Sequence, residues 1–380
     1  MFTWPRSLEE YEALKDSQSD VALFEQLERH TKSFKLAEPV TAPCPAPIAP
    51  QLERSRANPI VCPHPEHEWE SFTTFNPAAF VDPADGTTHL LYRAQGHDCV
   101  SRIGLASSAD GFSFERCDDG PIFADGRMSC NALNGCAVDY GSGGSLGGAE
   151  DPRVTVLDNT LWMFFVAYDG RAPPSLALTH LSLEDFRARR WDKWSLPKTV
   201  SQPGLIDKSG ALFPEKIGGK YCIMHRIFPD IQIDYRDDLE FADSDHLNVV
   251  ASIPAAKTGW DSRKVGAGAP PIKTSRGWLL VYYGVDDRDA REYKIGAMLL
   301  DLLDPARVIA RSGAPCLEPK AWYECSGFKP GILYPCGAVV KDETLIVYYG
   351  AADQYCAAAS ANLEEFLDTL TCGVDVDFFS

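Results

Sequence analysis

Residues 337–353, GAVVKDETLIVYYGAAD, hold the pattern that decides the fold. An apolar stretch runs into a short polar turn at Asp342 and Glu343, then returns as a strand crowded with β-branched and aromatic residues. Such a run, turn and run is the signature of a β-hairpin. The same pattern occurs upstream in AAFVDPADGTTHLLYRA (78–94), RVTVLDNTLWMFFVAYDG (153–170), ALFPEKIGGKYCIMHRI (211–227) and PPIKTSRGWLLVYYGVD (270–286). The turns recur about 60 to 70 residues apart, which leaves room for one more strand pair between copies and so suggests four-stranded units. Five copies predict an all-β chain folded as a five-bladed β-propeller. A two-sheet sandwich would also hold many short strands, but would not call for the same aromatic second strand at even spacing.

Composition narrows the function. The chain has 380 residues, 45% hydrophobic and 24% charged, which is ordinary globular composition. Its 36 basic against 54 acidic residues give a net charge of −18. That argues against nucleic acid or an anionic membrane as a partner, since either needs a basic face. An anionic ligand therefore requires a local basic pocket. No apolar run reaches the roughly 20 residues that span a bilayer, and the first residues lack the pattern of a secretory signal, so the expected location is cytoplasmic. Twelve scattered cysteines without CxxC pairs read as reduced, mostly buried thiols. Cys62, His64 and His67 in CPHPEH lack the spacing and second ligand pair of a zinc site, so no metal is expected.

Within residues 7–36, Leu8, Tyr11, Leu14, Leu23, Phe24 and Leu27 recur at helical spacing. The prolines that follow bar both helix and central strand. The expected organisation is a helical extension with a Pro-rich linker over residues 1–60, then a catalytic propeller over 61–380.

Propeller ligands usually gather at the channel mouth, fed by polar residues at blade ends. Asn76, Arg93, Arg153, Lys208, Arg226, Lys264, Tyr283, Tyr293 and Asp353 interrupt or follow the apolar strands of all five copies. The segment GGAEDPR (147–153) is the most informative. Its glycines permit close backbone approach, Pro152 keeps the residue before it extended, and Glu150 and Asp151 point to opposite sides of the chain. One carboxylate can face a ligand while the other anchors a neighbour; the same segment would also serve as a structural loop with an ion pair. Arg153, on the face of Asp151, would lower its pKa or bind an anion beside it.

The succession GGAEDPRVT, LFPEKIGGKYCIMHR, KVGAGAPPIKTSRGWLLVYYGV, EYKIGAMLLDLLDP and YPCGAVVKDETLIVYYGAAD resembles glycoside hydrolase family 130, the mannoside phosphorylases, over roughly residues 70–370. The resemblance implies a five-bladed propeller and inverting cleavage of β-mannosides. The attacking group is mostly inorganic phosphate, which yields α-mannose 1-phosphate, with a minority of members using water. It implies no cofactor beyond phosphate as co-substrate. By motif, Asp151 matches the proton donor, acting through a hydroxyl of the mannose ring. Lys208, Arg226, Lys264 and Tyr293 match phosphate-binding positions, and Asn76, Arg93 and Asp353 match positions that bind the mannose or border the phosphate.

Tyr283 stands where the phosphorylases usually carry a phosphate-contacting histidine, and a phenol cannot become cationic near neutral pH. The alternatives are an inverting β-mannosidase, with Glu215 or Glu292 as base, and a non-catalytic glycan-binding propeller. Glu215 in LFPEK reads equally as one half of a structural ion pair. The linkage and acceptor sugar, and self-association through the N-terminal helix, stay open. The Gly- and Ser-rich stretch 122–146 reads either as a lid over the acceptor side or as a surface insertion.

Overall fold

The computed structural model describes residues 49–372 except 118–119, 126–141, 143 and 243. The helix expected within 7–36 and most of the 122–146 stretch lie outside the described residues.

The hairpins form where turn chemistry predicts them. Asp158 and Asn159, Gly218 and Gly219, and Asp342 and Glu343 all have positive φ. Each pair sits between directly opposed residues, Leu157↔Thr160, Ile217↔Lys220 and Lys341↔Thr344. Two consecutive left-handed residues make the hairpin turn whose twist matches the strands it joins. The returning strands Thr160–Tyr168, Tyr221–Ile227, Gly277–Asp286 and Thr344–Ala351 are central in their sheets and largely buried on both faces, which accounts for their aromatic and aliphatic content.

The propeller expectation is overturned. The described strands form four sheets, of eight, four, five and four strands, none of them closed into a barrel or a propeller. The first two repeats, Thr73–Val81, Thr88–Gln95 and Val100–Ser108 with Gly147–Leu157, Thr160–Tyr168 and Ser175–Ser182, share the eight-stranded sheet. Val100–Ser108 joins Gly147–Leu157 in parallel at Val100↔Gly147 and Ser101↔Gly148. A hairpin pattern reports local pairing only. Whether the edge of one repeat bonds to the next depends on a long-range contact that periodicity does not encode.

Gly148 makes that junction possible. Its φ is +107°, and a Cβ there would lie 2.1 Å from the Ser101 carbonyl oxygen. Elsewhere the sheets pack through separate apolar cores. One gathers Ile103, Leu105 and Phe165, another Phe213, Ile233 and Trp278, and a third Leu279, Val347 and Phe366. The C-terminal helix Leu363–Thr371 is capped by the Asn362 side chain and buries Phe366, Leu367 and Leu370. At the other end of the chain, Glu53–Arg54 adds an edge strand beside Tyr355–Asn362, and Arg54 pairs with the buried Glu324 at 2.8 Å.

The first strands of the repeats lie against one another. Thr73–Val81 contacts Gly147–Leu157, which contacts Asp207–Leu212, which contacts Lys264–Ala267, while Leu333–Lys341 contacts the first two. Their ends carry the candidate site. Replacing Gly148 by Ala should cost about 1–3 kcal/mol in stability, read as a lower urea midpoint at unchanged denaturant slope, because it forces apart the parallel junction.

Candidate active site

Four of these strands break register by one residue, Leu333–Lys341 between Pro335 and Gly337, and the other three do so at a left-handed residue. In those three the register shifts between Phe75 and Ala78, between Glu150 and Arg153, and between Lys208 and Ala211. At each of these three bulges one residue takes a left-handed conformation: Asn76 (φ 50°), Asp151 (φ 50°) and Ser209 (φ 58°). A left-handed backbone is costly for a residue with a Cβ, and a bulge re-aims side chains that strict alternation would send elsewhere. The three polar residues thus enter one buried cleft.

Asp151 lies at its centre and is almost fully buried. Its Oδ1 accepts from Asn76 Nδ2 at 2.7 Å and from Arg93 Nη1 at 2.9 Å. Burial pushes the Asp151 pKa up, but the Arg93 guanidinium, the Lys208 ammonium and the Asn76 amide outweigh it and hold the carboxyl below its usual value. Arg93 also donates to Glu150 at 3.2 Å and Ser101 at 2.9 Å. Glu150 is fully committed: besides Arg93 it accepts from Ser142 and lies 3.8 Å from Lys208.

The cations cluster next to this pair. Lys208 opposes Arg226 across the hairpin and donates to Ser142 at 2.7 Å. Burial lowers the Lys208 pKa despite the nearby Glu150 and Asp151. Lys264 donates to the Tyr293 hydroxyl, and its pKa is pushed well down by burial and then by Arg226, Arg263, Lys208 and Lys329. Arg226 is buried, and among the described residues its Nε has no hydrogen-bond partner. Cations that act on one another electrostatically, one with an unmet donor, have the chemistry an anion receptor requires.

Tyr283 closes the cleft. Its hydroxyl bonds Ser209 at 3.2 Å, and Ser209 bonds the Tyr334 hydroxyl at 3.1 Å. The Tyr283 ring stacks with Tyr293 at 5.7 Å and lies tilted against Tyr334 at 4.7 Å. Burial raises its pKa, but Arg226, Ser209 and Arg153 outweigh that and hold the phenol below its ordinary value.

The structure thus brings together Asn76, Arg93, Asp151, Lys208, Arg226, Lys264, Tyr283 and Tyr293. Asp353 joins them, buried, paired with Lys329 at 3.0 Å and acting electrostatically on Arg93. Arg153 stands behind the cleft: its nitrogens donate to the backbone carbonyls of Gly268 (2.6 Å), Ala267 (3.1 Å) and Asp151 (3.2 Å). Glu215 is held by Lys273 at 2.6 Å in a solvent-exposed pair, and Glu292 pairs with Lys294 at 3.1 Å. Sequence reasoning missed Ser209, Tyr334, Ser142 and Lys329. For Ser209 the signal was present, because the internal repeat puts Ser209-Gly210 where Asn76-Pro77 and Asp151-Pro152 stand.

Behind the cations, His225 Nδ1 lies 2.9 Å from Asp207 Oδ2, and Nε2 lies 3.2 Å from the Asn248 carbonyl. Burial lowers the His225 pKa, but Asp207, Asn248 and Asp234 outweigh it and raise it. Stability from a raised histidine is fully present below its unfolded value of about 6.5 and is lost as pH rises through the folded value. The stability deficit of His225→Gln should therefore be largest in mildly acidic buffer and shrink on the alkaline side, measured by denaturant melts across pH.

Comparison with known proteins supplies the context for this geometry. A family model for glycoside hydrolase 130, described as β-1,4-mannooligosaccharide phosphorylase, matches residues 51–372. A 1,2-β-oligomannan phosphorylase of Thermoanaerobacter sp. (strain X514) is 36% identical over 325 residues, covering 83% of this chain and 98% of the relative. The solved structure of β-1,2-mannobiose phosphorylase from Listeria innocua, bound to β-1,2-mannobiose, is similar with a TM-score of 0.66 and 27% identity over 84% of this chain and 99% of that one. A further structure comes from work on family members that are hydrolases targeting β-1,2 mannosidic linkages in Candida mannan. It has a TM-score of 0.66 and 26% identity, covering 87% of this chain and 97% of that one.

Proposed function

This chain belongs to glycoside hydrolase family 130, and from that premise we propose that it is an inverting β-mannoside phosphorylase acting on short β-linked manno-oligosaccharides. The carrying observation is the cation set of buried Arg226 and half-buried Lys208 and Lys264, with the unmet Arg226 Nε, beside a single available carboxylate. An anionic nucleophile needs cations to hold it rather than a second carboxylate to activate it. A phosphate oxygen attacks the anomeric carbon as the bond to the glycosidic oxygen breaks, and the departing oxygen takes its proton from Asp151 by way of a mannose hydroxyl. The products are α-mannose 1-phosphate and the shortened sugar. Asn76 and Arg93 orient Asp151 and the mannose, with Asp353 acting on Arg93. Lys208, Arg226, Lys264, Tyr283 and Tyr293 hold phosphate.

The lowered pKa of Asp151 gives phosphate a second role. In the free cleft Arg93 and Lys208 keep the group ionised, whereas proton donation requires the acid. Phosphate brings negative charge against Lys208 and Arg226, offsets their field and returns Asp151 toward its protonated form. Tyr283 serves in place of a histidine because Arg226 and Ser209 orient its hydroxyl. The β-1,2 linkage is the first to test, since the relatives named for it are the more similar.

The other reading, hydrolysis, requires a base. Glu215 and Glu292 are each paired with a lysine outside the cation cluster, which disfavours it. We read residues 61–380 as the catalytic unit, with 1–60 as its extension. We place the chain in the cytoplasm, supported by the free, buried thiols of Cys222, Cys316, Cys336 and Cys356. Among the described residues no helix is long and apolar enough to cross a membrane.

Incubation with β-1,2-mannobiose should release mannose 1-phosphate only when phosphate is present; free mannose at equal rates with and without phosphate would overturn the reading. Asp151→Asn should lose at least about 1,000-fold in kcat, as the loss of a general acid does. Lys264→Ala should raise the KM for phosphate about tenfold or more while leaving the KM for mannobiose nearly unchanged. Because a general acid acts only while protonated, the alkaline limb of the rate profile, where Asp151 loses its proton, should move to higher pH in saturating phosphate.

A further inference from the structure

Phe72, His97 and Phe328 come from three separate segments and meet at the rim of the cleft. The Phe72 and Phe328 rings cross edge to face at 5.3 Å, and Phe72 and His97 lie tilted at 5.5 Å. Phe72 and Phe328 remain partly exposed and His97 is exposed. None of the three belongs to the apolar cores of the described residues. Partly exposed rings gathered in this way do not serve core packing, and a cleft rim is where they can serve a ligand.

Each ring is tied to the catalytic end of its segment. Phe72 stands four residues before Asn76, and His97 four residues after Arg93. Phe328 precedes Lys329, which pairs with Asp353 at 3.0 Å. The backbone holds this corner together, since Gln354 Nε2 donates to the Phe72 carbonyl at 2.7 Å and the Lys329 amide donates to Ala352 at 2.8 Å. From the other side Gly144, with φ +80°, comes so close that a Cβ there would lie 2.2 Å from the Phe328 ring. Two residues earlier in the chain, Ser142 bonds both Lys208 and Glu150. The aromatic group therefore flanks the cleft between the Asp353 pair and the strand of Asp151.

We infer that Phe72, His97 and Phe328 form an aromatic wall that binds the acceptor-side pyranose, the sugar that departs with the glycosidic oxygen. This deepens the phosphorylase reading and rests on it. A hexopyranose presents one face of C–H bonds, which the negative face of an aromatic ring attracts, while its hydroxyls reach outward. The Lys329 ammonium, 5.8 Å from the Phe328 ring centre and paired with Asp353, supplies the polar partner for those hydroxyls.

Calorimetric titration of β-1,2-mannobiose and of mannose into the full-length Asp151→Asn protein, with and without Phe328→Ala, tests the wall apart from turnover. Phe328→Ala should weaken mannobiose about tenfold, as expected for loss of a stacking ring. Mannose, which needs only the donor side, should bind unchanged, and Phe328→Trp should restore mannobiose affinity. Equal mannobiose affinity with and without Phe328→Ala, or equal weakening of mannose and mannobiose, would overturn the wall. If the wild type forms no mannose 1-phosphate, the phosphorylase reading fails, and the titration still decides the wall.

Discussion

The rest of the structure turns on the buried pairing of Arg93 with Asp151, 2.9 Å apart and joining residues 58 positions apart in sequence. Arg93 lies two residues before the end of the second strand of the first repeat, and Asp151 sits at the bulge in the first strand of the second. Removing one partner of such a buried pair typically costs about 3–5 kcal/mol, because the other charge is left uncompensated. The pair is also electrostatic. Arg93 is the largest of the influences that lower the Asp151 pKa against its burial, so the contact that joins the two repeats also favours the charged form of that carboxyl.

The repeated bulge explains how a regular sheet protein assembles an irregular site. Along an undistorted strand, alternate residues face opposite sides, and a polar residue entering the cleft would take its neighbours two positions away with it. One extra residue breaks that alternation at Asn76, Asp151 and Ser209, so a single polar group enters while the strand beyond resumes its apolar packing. The strain of three left-handed residues is borne by the sheets around them. Gly350 shows how tightly they are held, since a Cβ there would lie 2.0 Å from Asn76 Oδ1.

Much of this was legible beforehand, and the limits have physical causes. Turn residues such as Asp158-Asn159 and Gly218-Gly219 and the aromatic strands after them identified the hairpins, because a two-residue turn and its strands interact over short sequence separations, from Leu157↔Thr160 out to Gly148↔Tyr168. The EDPR motif and the cations at strand ends identified most of the residues now seen together. Arg153 illustrates the limit: its spacing from Asp151 suggested a partner or anion ligand, yet its guanidinium is spent on backbone carbonyls of residues 267 and 268, more than a hundred positions away. Ser209 was legible only through its place in the internal repeat, and Tyr334 was missed because its hydroxyl meets Ser209 across 125 positions of sequence.

The sequence by itself determined the β-hairpins, the family and the identity of the carboxylate and cations, since these follow from turn chemistry, side-chain alternation and residue type along short stretches. Tertiary structure alone decided that the first two repeats merge into one sheet, that the Asp151 pKa is lowered despite burial, and that Glu215 and Glu292 pair with Lys273 and Lys294. Those outcomes depend on which edges and charges meet across the molecule. Burial and the field of neighbouring groups act through space, and local patterning does not encode them.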